Sequence, residues 1–194
     1  MQQQSATQKP IGSAQAQASL WGPRARDWAD TQEPQSAPLF EAVFRATGVE
    51  PGVPLLDAGC ASGFAAARAA ELGAAVSGVD ATPALIAIAR ERVPSARFEI
   101  ADLEDLPFAD GSFAIVTGFN SFQYAADPGR ALAEARRVCR RGGRVAIATW
   151  GQPERCQAAA YLAALKNFLP PLADTKASTA ERAPQGAKSA AEKP

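Results

Sequence analysis

The 194-residue chain has room for one domain of ordinary size, and with 47% hydrophobic residues it can bury a real core. Its 20 Lys plus Arg balance 20 Asp plus Glu, so no overall positive field exists to gather nucleic acid or anionic lipid. Histidine is absent, which removes the commonest base and metal ligand, and the odd set Cys60, Cys139 and Cys156, without CxxC spacing, fits reduced thiols rather than a disulfide framework or a zinc site.

In chain order, residues 1 to 18 are rich in Gln, Ala and Ser and read as a disordered tail. Alternating apolar runs and helical patterns follow, the signature of a parallel sheet wrapped by helices. A helix over Pro38–Thr47 leads to strand Val53–Asp57, helix Phe64–Leu72, strand Ala74–Asp80, helix Pro83–Val93 and strand Arg97–Ala101. Strand Phe113–Phe119, helix Pro128–Arg141, strand Arg144–Trp150 and a helical stretch Glu154–Leu169 complete residues 19 to 169. From Pro170 to Pro194 no hydrophobic period appears, and a second disordered tail is expected. No apolar run is long enough to cross a bilayer and the N-terminus lacks the order of a secretory signal, so the cytoplasm is the expected address.

Several boundaries carry their own chemistry. Thr82 and Asp127 are expected to cap helices that begin at Pro83 and Pro128. In the second of these helices Ala131, Leu132, Ala135, Val138 and Cys139 share one face, while Arg136, Arg137, Arg140 and Arg141 read as a solvated end that complements the dipole. Gly142 and Gly143 then turn the chain into the fifth strand.

The most informative stretch is LLDAGCASGF, residues 55–64, an apolar strand ending at Asp57 and passing through Gly59 and Gly63 into a helix. Ligands of open α/β sheets bind beyond the carboxyl ends of the strands, where strand order reverses, and small residues let a ligand approach the backbone. Asp80 closes the second strand 23 positions after Asp57, and a carboxylate there can accept from both hydroxyls of a ribose. Asp102, in ADLEDLPF, is placed to accept from an adenine amino group, with Leu103 packing on the ring. Together these residues outline an adenosine site.

Those segments, with FAIVTGFN and RRGGR, resemble a class I S-adenosylmethionine-dependent methyltransferase of the small-molecule, methyltransferase-11-like type, over residues 20 to 165. The resemblance implies a Rossmann-like α/β fold, an open parallel sheet in strand order 3-2-1-4-5 with flanking helices, and S-adenosyl-L-methionine as cofactor. It implies Asp57, Gly59, Cys60 and Gly63 around the methionine part, Asp80 and Ala81 at the ribose, and Asp102 and Leu103 at adenine. Phe119 and Asn120 would close the pocket near the sulfonium. WGPRARDWA, with Trp21 and Trp28, resembles the family's N-terminal lid segment.

Two departures from the family pattern stand out. Ala61 occupies the place of the middle glycine of the loop. The two further strands that follow in the family, the last antiparallel, find no counterpart after Leu169, so the edge of the fifth strand is expected to invite self-association.

The implied partner is a small-molecule methyl acceptor, with no metal, nucleic acid or membrane. Methyl transfer from a sulfonium needs orientation rather than an obligatory base, so the lack of histidine is compatible, and Tyr124 is the only candidate to orient or deprotonate an acceptor. Cys60 is expected to be a small buried side chain, not a nucleophile. Two other readings compete. A nicotinamide dehydrogenase would demand G-x-G-x-x-G, whereas Cys60, Ala61 and Ser62 separate Gly59 from Gly63. A truncated, inactive relative would keep only the nucleoside pocket.

Overall fold

The structure, a computed structural model, describes residues 12–152 and isolated positions from 154 to 168. The described residues up to Thr149 form one compact unit, and those from Trp150 onward are assigned to another. The expected Glu154–Leu169 helix lies largely outside the described residues, and the 170–194 tail wholly so; positions 163–165 are helical.

The first unit opens with helix α1 (Ala14–Trp21), helical turns of changing pitch from Gly22 to Ser36, and α2 (Ala37–Thr47). The sheet and its crossovers follow: β1 (Pro54–Ala58), α3 (Phe64–Glu71), β2 (Ala75–Asp80), α4 (Pro83–Arg92), β3 (Arg97–Ile100), β4 (Phe113–Phe119), α5 (Pro128–Val138) and β5 (Cys139–Ala148). Helix α1 begins inside the stretch read as a tail; Gln17 and Trp21 give it contacts that composition alone does not reveal.

The five strands run in the order β3-β2-β1-β4-β5, and every pair is parallel, the expected α/β architecture. The two most apolar strands are central because helices cover both faces of such a sheet. Leu55, Leu56, Ala58 and Val116 are fully buried there. On one face Phe40 and Phe44 of α2 join Ala65, Ala66 and Ala69 of α3 and Ile86 and Ala89 of α4. On the other, Ala131, Ala135 and Val138 of α5 meet Leu56, Val79 and Val116.

Strand ends agree with the sequence reading to within a residue except at β5. There α5 stops at Val138 rather than Arg141, and the chain enters β5 directly. Phe113 pairs with Cys139 and Ile115 with Arg144, so β5 carries extra residues in an irregular register, with Gly142 at φ +75° inside it. Leu132 is exposed, not on the buried face, because it lies a third of a turn from Ala131. Asp127 accepts from the Arg130 amide at 3.1 Å, as a cap should. Thr82 makes no side-chain cap; its own amide donates to Asp80 Oδ1 at 2.8 Å, so the cap residue serves the strand-end carboxylate instead.

The arginines are not a uniform solvated end. Arg137 donates to both oxygens of Glu134, to Asp110 and to the carbonyls of Leu106 and Phe108, tying α5 to the loop before β4. Arg144 donates to the Thr47 carbonyl at 2.6 Å, satisfying the last turn of α2.

Candidate functional site

The bend after β1 is built by three alternate left-handed residues, Gly59 (φ +80°), Ala61 (φ +46°) and Gly63 (φ +77°). At Gly59 the demand for glycine is also steric: an added Cβ would lie 2.2 Å from the Cβ of Ser121. The close neighbour is therefore the turn after β4, which the Ser121 hydroxyl secures by donating to the Ala58 carbonyl at 2.7 Å. Ala61 accepts a conformation that costs an L-residue roughly 1 kcal/mol. Its amide is compensated by Asp80 Oδ2, which it reaches at 3.0 Å.

Asp57 and Asp80, at the ends of adjacent strands, are brought together with Glu33. Asp57 is fully buried and accepts from Thr117 Oγ1 at 3.0 Å. Burial drives its pKa from 3.8 to about 7; Thr117 offsets part of this, and the nearby charges of Glu33 and Asp80 add to it. Burial likewise raises Asp80, against the amides of Thr82, Ala61 and Ala81, which favour its ionised form. The Cys60 thiol is buried and pushed up by desolvation and by the same carboxylates; with Phe98 it packs in the core, the small buried side chain expected of it. Only its backbone belongs to the bend.

Glu33 is a residue that the sequence reading missed. Its buried carboxylate accepts from Ser62 Oγ and, at 2.9 Å, from Arg92, whose guanidinium also donates to the Ser62 carbonyl at 2.8 Å. Burial raises its pKa, and Ser62, Arg92 and the Phe64 amide hold it down. The network fastens the turns before α2 to the bend. No local pattern announces it, since Arg92 lies 59 positions away. Ser121 and Glu104 were missed for the same reason; buried Glu104 accepts from the Ala126 amide at 2.7 Å and joins the loops after β3 and β4.

Asp102 follows β3, near the Asp80 carbonyl that accepts from Ala101 at 3.1 Å. Its Oδ1 accepts from Glu104 N and its Oδ2 from Ala14 N, at 2.9 and 3.0 Å. Leu103 packs beside Leu106 and Phe108. The Phe119 ring stands 4.6 Å from Phe40 and 6.0 Å from Phe44, centroid to centroid, against the aromatic residues that α2 offers on that face. Asn120 turns the chain at φ +49°, and its amide donates to Ala148 O at 2.8 Å. Tyr124 is half-buried, 5.9 Å from Trp21, which meets Trp28 edge-on at 5.1 Å. Trp28 packs with Ala61, Leu85 and Ile88, so the lid segment rests on α4 beside the bend.

None of Asp57, Asp80 and Asp102 pairs with a described basic side chain. The site thus gathers acceptors and negative charge at the carboxyl edge of β1, β2 and β3. No metal-holding cluster occurs among the described residues.

Strand order, the left-handed bend after β1 and the carboxylate at the end of β2 are those of the Rossmann-like class I methyltransferase fold. Residues 56–147 match the family described as "Methyltransferase domain". A demethylmenaquinone methyltransferase of Beutenbergia cavernae is 34% identical over 141 residues, covering 72% of this chain and 59% of the relative. An uncharacterized protein of Mycobacterium tuberculosis is 34% identical over 128 residues, covering 64% and 47%. The chain thus spans about half the length of the curated relatives it matches. Among solved structures, a methyltransferase in complex with the Haloferax volcanii activator Trm112 superposes with a TM-score of 0.60 at 27% identity, covering 73% of this chain and 62% of that one. A SAM-dependent methyltransferase from Aquifex aeolicus shares the fold, with a TM-score of 0.60 at 20% identity and coverage of 69% and 76%.

Proposed function

We propose that this domain binds S-adenosylmethionine and assists transfer of its methyl group to a small-molecule acceptor. The observation that carries the reading is the set of strand-end carboxylates without basic partners among the described residues, two of them largely buried. Their chemistry fits the cofactor: a sulfonium is a cation, and ribose hydroxyls and an adenine amine are donors. A dinucleotide would bring a pyrophosphate to the same bend, where Asp57 and Asp80 present carboxyl acceptors instead of a basic side chain. The demethylmenaquinone methyltransferase among the relatives supports a small acceptor.

When bound, the cofactor supplies an already activated methyl group, so the chain's own contribution is binding, orientation and exclusion of water. Asp80 would hold the ribose; the amides of Ala61 and Thr82 fix its carboxylate in place. Asp102, with Leu103, would recognise adenine. Asp57, Gly59, Cys60, Gly63 and Ala81 shape the bend, and Asn120 borders it. Tyr124 would orient the acceptor beneath Trp21.

Calorimetric titration and thermal shifts with S-adenosylhomocysteine and with NAD test this reading. S-adenosylhomocysteine should bind and raise the melting temperature, NAD should do neither, and Asp80→Ala should lose at least about tenfold in affinity, the loss of a charge-assisted contact. Full affinity in Asp80→Ala, or binding of NAD alone, would sink it.

A further inference from the structure

The face of Asp102 that should receive adenine is covered by the chain's own N-terminal segment. The amide of Ala14, the first residue of α1, donates to Oδ2 at 3.0 Å while Glu104 N holds Oδ1 at 2.9 Å. Gly12 lies so close that a Cβ there would stand 2.0 Å from Oδ2 and 2.8 Å from Cγ. Two further contacts hold α1 down: Gln17 Nε2 reaches the Tyr124 carbonyl at 3.5 Å, and Trp21, which donates to Gln17 Oε1 at 3.1 Å, lies edge-on to Tyr124.

We propose that α1 is a competing strap: the Ala14 amide occupies the acceptor that the exocyclic amine of the cofactor's adenine requires, so cofactor entry requires residues 12–14 to unhook. The inference rests on the cofactor reading above and adds an internal competitor to it. A backbone N–H and an aromatic N–H are equivalent donors to a carboxylate, and Gly12 leaves no space at Oδ2 for a second one. The strap's hold is modest, one charge-assisted hydrogen bond, one long side-chain hydrogen bond and an aromatic edge, so it lowers apparent affinity without abolishing binding. If the competent, unhooked state is populated about one-tenth of the time, removing the strap tightens binding by up to about tenfold.

Two full-chain variants remove the contact by different routes. Ala14→Pro deletes the donor at the first helical position, where proline is tolerated, and Gly12→Val forces the backbone off the carboxylate. Both should tighten S-adenosylhomocysteine binding about 3- to 10-fold relative to the unaltered chain. Ala14→Pro should give no gain for S-inosylhomocysteine, whose base lacks the amine. Hydrogen exchange on the unaltered chain gives a readout free of mutation: residues 12–21 should exchange faster when S-adenosylhomocysteine is bound. Unchanged or weaker affinity in both variants, an equal gain for the inosyl compound, or greater protection of residues 12–21 overturns the strap while leaving the cofactor reading intact. Absence of S-adenosylhomocysteine binding in the unaltered chain and in both variants removes the cofactor reading, and the strap with it.

Discussion

Asp57 pairs its burial with a neighbourhood that opposes ionisation, so its carboxyl titrates at about 7 instead of 3.8. The folded state therefore holds this proton more tightly than the unfolded chain does. The associated stability is fully present below pH 4 and is lost as pH rises to 7, a difference on the order of 4 kcal/mol for this group. Glu33 and Asp80, raised by the same burial, act in the same direction. Asp57→Asn should flatten the fall in stability between pH 4 and 7 and melt above the unaltered protein at pH 8; urea titrations at several pH values check this, and an unchanged slope would remove Asp57 as its source. The role of Asp57 at a strand end was legible because an acid closing an apolar strand before a glycine bend is a local pattern. The need for glycine at position 59 was legible too, but its cause was not: the constraint comes from Ser121, more than sixty positions on, and not from a ligand alone.

Among the elements, α5 shows how a charge run conceals two roles. Arg137 uses its planar fork on Glu134, Asp110 and two carbonyls, while Glu134 also accepts from the Leu106 amide at 2.8 Å. Arg137→Leu should destabilise the fold by about 2 kcal/mol, and Arg137→Lys should recover only part of it, because an ammonium cannot make the parallel contacts. Chemical denaturation of the two variants provides the measurement, and equal stability of Lys and Leu would contradict the fork argument. The strands and helices through β4 were readable from apolar runs, proline starts and glycine stops. The passage from α5 into β5 was not, because Cys139–Arg141 is helical by spacing yet is drawn into the sheet, where Cys139 pairs with Phe113. Helix α1 was hidden for a related reason: its residues are small and polar, and its anchors are Asp102 and Tyr124, 88 and 107 positions away.

At the scale of the molecule the two sheet edges differ. β3 is short and carries the exposed Arg97–Glu99 pair, features that discourage strand addition. β5 is longer, pairs only with β4 among the described residues, and exposes Val145. We propose that this edge supports self-association; the chain should elute ahead of a monomer in size-exclusion chromatography, and Val145→Lys should shift it back, whereas a monomer at high concentration would dismiss the idea. The position of β1 has a further consequence. It is sealed on one side by β4, whose Thr117 hydroxyl bonds Asp57 across 60 residues of chain. During synthesis the ribosome must deliver that whole interval before the centre of the sheet can close. Until then Leu55 and Leu56 stay sticky, so slower translation or a chaperone that shields nascent chains should raise the yield of folded product.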